Sequence, residues 1–266
     1  MSENENWPTV TIKSWDDLEF EISNKDYRDW VYRGHSDLKW ELESSLFRLF
    51  NDISSILPKS RKFAKNKHEI ELIRVFKSQA HLFLNYLPPK NKSLEWLSLM
   101  QHYGTPTRLL DMTFSPYVAA YFALHEGHED CCIYALKHSY FKEIDLEHFG
   151  TTNYKDKLLK KDQRGVKSFF IPYEPEMKNE RIVSQQGVFL IASTNYETYG
   201  EIISNYEFDK KSGVKYILKK DIRFEGLKKL RLMNISAATL FPGIEGFCKS
   251  LKFQVIDNIS KLSRLQ

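Results

Sequence analysis

The chain is poor in cysteine, with only Cys131, Cys132 and Cys248 in 266 residues. Two of the three are adjacent, and such neighbours rarely close a framework disulfide, while no CxxC or Cys/His spacing suggests zinc. A disulfide-stapled scaffold and a zinc module are set aside, and a reducing compartment is expected. Long hydrophobic runs are also missing. No apolar stretch reaches the length of a bilayer-spanning helix, and the opening MSENENWPTVTIKSW lacks the charged-then-apolar pattern of a leader, so a soluble cytoplasmic protein is the expectation. No Pro/Gly/Ser-rich linker, internal repeat or low-complexity tract marks a second domain. GxSxG, P-loop, GxGxxG and HExxH patterns are all absent. Hydrolase-type serine chemistry, Walker-type phosphate binding, a Rossmann fingerprint and a zincin centre therefore find no support.

What is present is the balance of a folded globular protein: 42% hydrophobic, 14% aromatic and 28% charged. A chain of this size can bury one large core. A single domain over 1–266 is expected, with its core at about 11–256. The net charge of +4, from 39 basic against 35 acidic residues, permits nucleic acid or an anionic cofactor without demanding either. Basic residues cluster at 58–68 and 215–231. A solvated loop and a solvated helix face are the plain readings, with an RNA or DNA contact as the alternative for 58–68. HEGHED, at 125–130, has metal-binding residue types but the spacing of a solvated turn, and no metal is expected.

Local patterning predicts mixed α+β structure. Ser14, followed by Asp16 and Asp17, reads as the N-cap of a short helix. DWVYRG reads as a strand ending at Gly34. Ile70, Ile73, Phe76, Ala80 and Phe83 fall three or four apart, the spacing of an amphipathic helix, which Pro88 and Pro89 end. SLEWLSLMQHYG predicts a second helix closed by Gly104. Together they predict a helical layer inserted at about 60–104. TRLLDMT, CCIYALK, RIVSQQGVFLIAS and GVKYILKK read as strands. Ser115 and Pro116 stand at the N-cap and first position of the helix SPYVAAYFALHEG. A last helix begins near Pro242. The polar, Lys-rich 141–180 region is expected to be a mobile segment.

Three segments carry chemistry. At Arg33–Gly34 a guanidinium fork suits phosphate, and glycine lets a ligand approach the backbone; the plain alternative is a surface or ion-pairing arginine. QHYGTPTRLLDMTFSP, at 101–116, packs polar residues between apolar ones and ends at a helix N-terminus, a site for a phosphate or amide oxygen. Within it Arg108 and Asp111 read as a buried structural ion pair, while His102, Thr113 and Ser115 fit a site or a structural role equally. In RIVSQQGVF, at 181–189, Gln185 and Gln186 must find partners if buried, structural or ligand-directed.

With these segments in order, the chain resembles the FRG domain family. YRGHSDLKWELESSLFR resembles its opening aromatic-Arg-Gly block, LMQHYGTPTRLLDMTFSPYVAAYFAL its most characteristic block, RIVSQQGVF its R…QxG-F segment and ISAATLFPGIEGFCKSL its C-terminal FP helix. Met112 stands where a tryptophan is commoner. The family is in turn similar to ADP-ribosyltransferases, which implies an α+β fold with a split β-sheet core around an NAD cleft. That resemblance implies a cofactor-binding set of Tyr32, Arg33, Gly34, His102, Tyr103, Tyr121 and Gln185. It implies a catalytic set of Arg33, Thr113, Ser115 and Gln186, in which Arg33 binds the diphosphate and Gln186 orients the ribose. Tyr103 or Tyr121 supplies the face on which nicotinamide stacks. An active transferase carries a glutamate at the third motif, where this chain has Gln185 and Gln186, and a neutral amide supplies no charge to a developing cation. The implied function is an ADP-ribosyltransferase-like domain binding NAD or an ADP-ribosyl nucleotide, with transfer to a macromolecule or NAD hydrolysis as the reaction. A role in toxin or anti-phage systems is implied by where such domains occur. The rival readings are a catalytically inactive module recognising a nucleotide, a nucleic acid or a protein, and a purely structural network of Arg33, Arg108 and Asp111.

Overall fold

The computed structural model describes residues 8–57, 64–141, 143, 168–206 and 208–252. The first six residues of the basic 58–68 segment, most of the 141–180 segment and the end of the expected core near 256 lie outside the described residues. No described helix is long and apolar enough to cross a membrane.

Seven strands, β1 (Thr9–Ile12), β2 (Trp30–His35), β3 (Leu109–Thr113), β4 (Cys131–Lys137), β5 (Phe170–Tyr173), β6 (Gly187–Ala192) and β7 (Gly213–Leu218), make one mixed sheet. Their order is β1-β7-β4-β2-β3-β6-β5, with β1 parallel to β7 and every other pair antiparallel. The pairing is uneven. β2 matches β4 over six residues and β3 matches β6 over five, yet β2 and β3 meet at the single pair Tyr32↔Thr113. The sheet thus divides at its centre into a four-strand part and a three-strand part, and the β2–β3 seam carries the cleft described below.

Each part has its own hydrophobic core. One gathers β3, β5 and β6 with α3 (Lys65–Gln79), α4 (Ser93–His102) and α7 (Tyr199–Ile203), reaching Val31 of β2 and Leu136 of β4. The other packs Trp30 and Tyr32 of β2, with β4 and β7, under α1 (Trp15–Ser23), α5 (Pro116–Leu124) and α8 (Arg223–Leu232). β2 alternates between them, as the period of two along a strand requires. α2 (Ser45–Ile56), α3 and α4 lie in the chain between β2 and β3.

The helix starts follow local chemistry. Ser14 forms a capping box with Asp17 at the start of α1, and Ser115 accepts from the Val118 N–H at 3.2 Å with Pro116 in the first position of α5. α5 lies so close to β2 that a Cβ on Gly34 would stand 1.9 Å from the Ala119 carbonyl oxygen and 2.7 Å from the Ala123 nitrogen. The space that the glycine frees is taken by this helix.

Four expectations are corrected. β2 runs one residue past Gly34, to His35. RIVSQQGVFLIAS is not one strand: Asn179 caps a five-residue helix, α6 (Glu180–Ser184), and Gln186 takes φ +49 before the chain enters β6 at Gly187. That left-handed residue cannot continue either a strand or a helix, so the glutamines sit on a turn. The expected helix stops at Gln79, short of Ala80 and Phe83: on α3 the buried residues are Ile73 and Glu69 while Ile70 is exposed, and beyond its end Ala80 is buried and Phe83 exposed. Glu69 explains the fourth correction: Arg108 pairs with Glu69, not with Asp111. Its Nε donates to Glu69 Oε1 at 2.6 Å, Nη2 donates to Oε2, and Asn195 Nδ2 adds a third donor at 2.8 Å. Burial opposes the Arg108 charge, but Glu69 outweighs it and holds the guanidinium above its ordinary pKa. The network ties α3 to β3 and to the loop after β6.

Candidate functional site

Arg33 projects from β2 into the seam. Its Nη1 donates to the Asp111 carbonyl of β3 at 2.6 Å, a link between the two parts of the sheet beside the one backbone bridge. Its Nε donates to His35 Nε2 at 2.9 Å, and His35 Nδ1 lies 3.1 Å from the Trp40 carbonyl. Because arginine only donates, His35 Nε2 is the acceptor and Nδ1 carries the proton. Burial, and then the Arg33 charge, pushes the imidazole pKa down to about 3. His35 is therefore a neutral bracket that aims Arg33. Burial also draws the Arg33 pKa below its ordinary value, with the Asp111 charge opposing and Arg48 reinforcing that shift.

Three adjoining hollows follow the seam. One of about 180 Å³ is lined by Tyr32, Arg33, Gly34, Asp111, Met112, Thr113, Phe122, Arg181 and Gln185. A second, about 190 Å³, opens toward α2 and includes Arg33, Asp111, Glu43, Arg48 and Gln101. A third, about 80 Å³, runs toward α4 and α6 and includes Asp111, His102, Arg181 and Gln185. Arg33 and Asp111 stand where the first two hollows meet. Asp111 is exposed although Leu110 and Met112 beside it are buried, and its Oδ1 accepts from Gln101 Nε2 at 2.8 Å. The Thr107 hydroxyl donates to the Gln101 Oε1, which fixes the amide's orientation.

The structure gathers part of the sequence-expected set. Tyr32, Arg33, Gly34, Thr113 and Gln185 line one hollow, and His102 joins Gln185 in the next. Burial, then the nearby Arg181 charge, lowers the His102 pKa. Several of these groups are already engaged. The Thr113 hydroxyl donates to the Gln185 carbonyl at 2.7 Å and accepts from the Ser115 N–H at 3.0 Å, while Gln185 Nε2 donates to the Leu240 carbonyl at 2.9 Å. Ser115 caps α5 and is not among the lining residues. Gln186 also stays outside the lining, its side chain exposed and its carbonyl accepting from the Phe114 N–H at 3.0 Å. Tyr103 is exposed at the end of α4, edge-on to His102. Tyr121 is buried away from the seam, stacked on His125 at 4.8 Å, and lines a separate hollow with Arg231 and Ser236.

The neighbour of Tyr121, Phe122, is the α5 ring that reaches the cleft; one residue around a helix turns a side chain by about 100°. Arg181, inside the quoted RIVSQQGVF, brings a second guanidinium that sequence reading left without a role. Its position depends on α6, and only that short helix could have signalled it. Among the described residues, no three His, Cys, Asp or Glu side chains gather as a metal site requires.

No curated protein is detectably similar to this chain, and no solved structure is. Residues 28–131 match the family model described as the FRG domain. The match runs from just before β2 to the first residue of β4, so it contains Arg33, His35, Gln101, Asp111 and Phe122, while Arg181 and Gln185 lie beyond it. Residues 28–131, which carry one wall of the cleft and the strand that faces it, are thus the part of the chain that is similar to the FRG domain family.

Proposed function

We propose that the cleft along the β2–β3 seam binds NAD or a related ADP-ribosyl nucleotide. In the catalytic form of this reading the protein cleaves the bond between nicotinamide and ribose and passes ADP-ribose to a macromolecule or to water. The observation that carries the reading is Arg33, a guanidinium held by His35 and by the Asp111 carbonyl in a central gap of the sheet. With Arg181 lining the same hollow, two planar cations are available to a diphosphate, the ligand class that arginine forks recognise best. Phe122 offers a ring face for a base, and Gln185, with its amide nitrogen on Leu240, keeps an acceptor oxygen for a ribose hydroxyl. The sheet divided at a single bridge supports the implied likeness to ADP-ribosyltransferases.

A non-catalytic recognition module is the second reading, and the uncharged pair Gln185 and Gln186 favours it. Thermal-shift titration with NAD, ADP-ribose and nicotinamide tests the binding claim. A saturable rise in melting temperature for the wild type, absent in Arg33→Ala relative to its own ligand-free value, is the expected result. No shift at millimolar nucleotide would sink the proposal and direct attention to protein and nucleic-acid partners.

A further inference from the structure

We infer that Asp111 is the catalytic carboxylate of this cleft, the group that stabilises the ribosyl cation when the N-glycosidic bond breaks. The inference rests on the nucleotide reading above. Asp111 is shared by all three hollows, whereas Glu43, the other carboxylate among their lining residues, faces the α2 side alone. It sits in a central strand between the buried Leu110 and Met112, yet it is open to solvent beside the seam where β2 and β3 share one pair. The carboxylate is also oriented: Thr107 fixes Gln101, and Gln101 holds Oδ1 at 2.8 Å. Among the described residues Oδ2 has no hydrogen-bond or ion-pair partner, so one oxygen is anchored and one is free to face a substrate.

That arrangement suits heterolysis. The bond between ribose C1′ and the nicotinamide nitrogen breaks, its electron pair leaves with neutral nicotinamide, and positive charge develops on the ribosyl carbon. The oxygen of a water molecule then bonds to that carbon and its proton passes to solvent, giving ADP-ribose, nicotinamide and one proton. The arginines of the cleft are best spent on phosphate and an amide carries no charge, but a preorganised carboxylate beside the developing cation lowers the barrier directly. Gln101 is a positioning residue in this scheme.

The experiment pairs nucleotide affinity with nicotinamide release for the wild type, Asp111→Asn and Gln101→Ala. Asp111→Asn keeps the shape and an acceptor for Gln101 while removing the charge. The account predicts ADP-ribose affinity within a few-fold of wild type and nicotinamide release from NAD reduced by about 100-fold or more, the loss typical of one preorganised electrostatic group. Gln101→Ala is expected to lower the turnover rate with KM nearly unchanged. If the wild type binds nucleotide and releases nicotinamide but Asp111→Asn is equally fast, the role of Asp111 is refuted while the nucleotide reading stands. Binding with no release by the wild type likewise overturns it in favour of a recognition module. If no nucleotide binds at all, the parent reading falls first.

Discussion

His35 gives the bracket around Arg33 a measurable pH dependence. In the folded protein the imidazole accepts from Arg33 and its pKa is pushed down to about 3, against 6.5 for an ordinary histidine side chain. The folded state therefore resists a proton that the unfolded chain takes up below pH 6.5. For a group with a depressed folded pKa, the stability it contributes is complete above the unfolded pKa and is lost as pH falls toward the folded one. The window runs from pH 6.5 down to about 3. Within it each pH unit removes up to about 1.4 kcal/mol, so acidification from 6.5 to 5 costs about 2 kcal/mol. For a chain of this size that is a fall of roughly 4–8 °C in melting temperature. The control is His35→Gln, whose amide can accept from Arg33 and donate to Trp40 but does not titrate. Melting curves of both proteins from pH 8 to 5 cancel the titrations of His102, His125 and the carboxylates, which the two share. The wild type should lose stability relative to the variant only below about pH 6.5. Parallel curves across the whole range would refute the neutral, Arg33-bonded imidazole.

Two further substitutions probe what holds the cleft in place. Glu69→Ala leaves Arg108 buried without its counter-ion and should cost about 3–5 kcal/mol in urea unfolding, whereas replacing both partners by apolar residues should cost clearly less. Equal losses in the single and paired variants would mean that packing, not the uncompensated charge, dominates. Gly34→Ala pushes a methyl group into the Ala119 and Ala123 backbone, which no side-chain rotation can relieve, so a loss of about 3 kcal/mol or more is expected by thermal unfolding. A melting temperature within one or two degrees of wild type would contradict the contact between α5 and β2.

Much of the local structure was legible because its causes are local. Ser14 with Asp17, and Ser115 with Pro116, announce helix starts within four residues, and the caps form as their spacing requires. β3 is readable from LLDMT and its flanks. The misreadings have causes distant in sequence or dependent on one dihedral angle. Glu69 stands 39 residues from Arg108, and no spacing rule joins them, so Asp111, three residues away, looked the natural partner. With Asp111 released from that role, its place in the cleft becomes apparent. RIVSQQGVF carries the composition of a buried strand, but Asn179 caps a helix there and the positive φ of Gln186 ends it. Gly34 reads in the sequence as room for a ligand to approach, whereas in the fold its Cβ position is taken by the backbone of Ala119 and Ala123 on α5, a contact far along the chain. The gap between β2 and β3 could not be read from sequence, because strands that pair over one residue have the same patterning as strands that pair over five.

The most direct test of the central claim is a crystal structure of the protein with ADP-ribose. The account predicts the diphosphate in the β2–β3 cleft with its oxygens in hydrogen-bond contact with Arg33 and Arg181, and the terminal ribose beside Gln185 and Asp111. A nucleotide seated elsewhere on the surface, with Arg33 still bonded only to His35 and the Asp111 carbonyl, would contradict it and leave the Arg–Gly pair as part of the architecture.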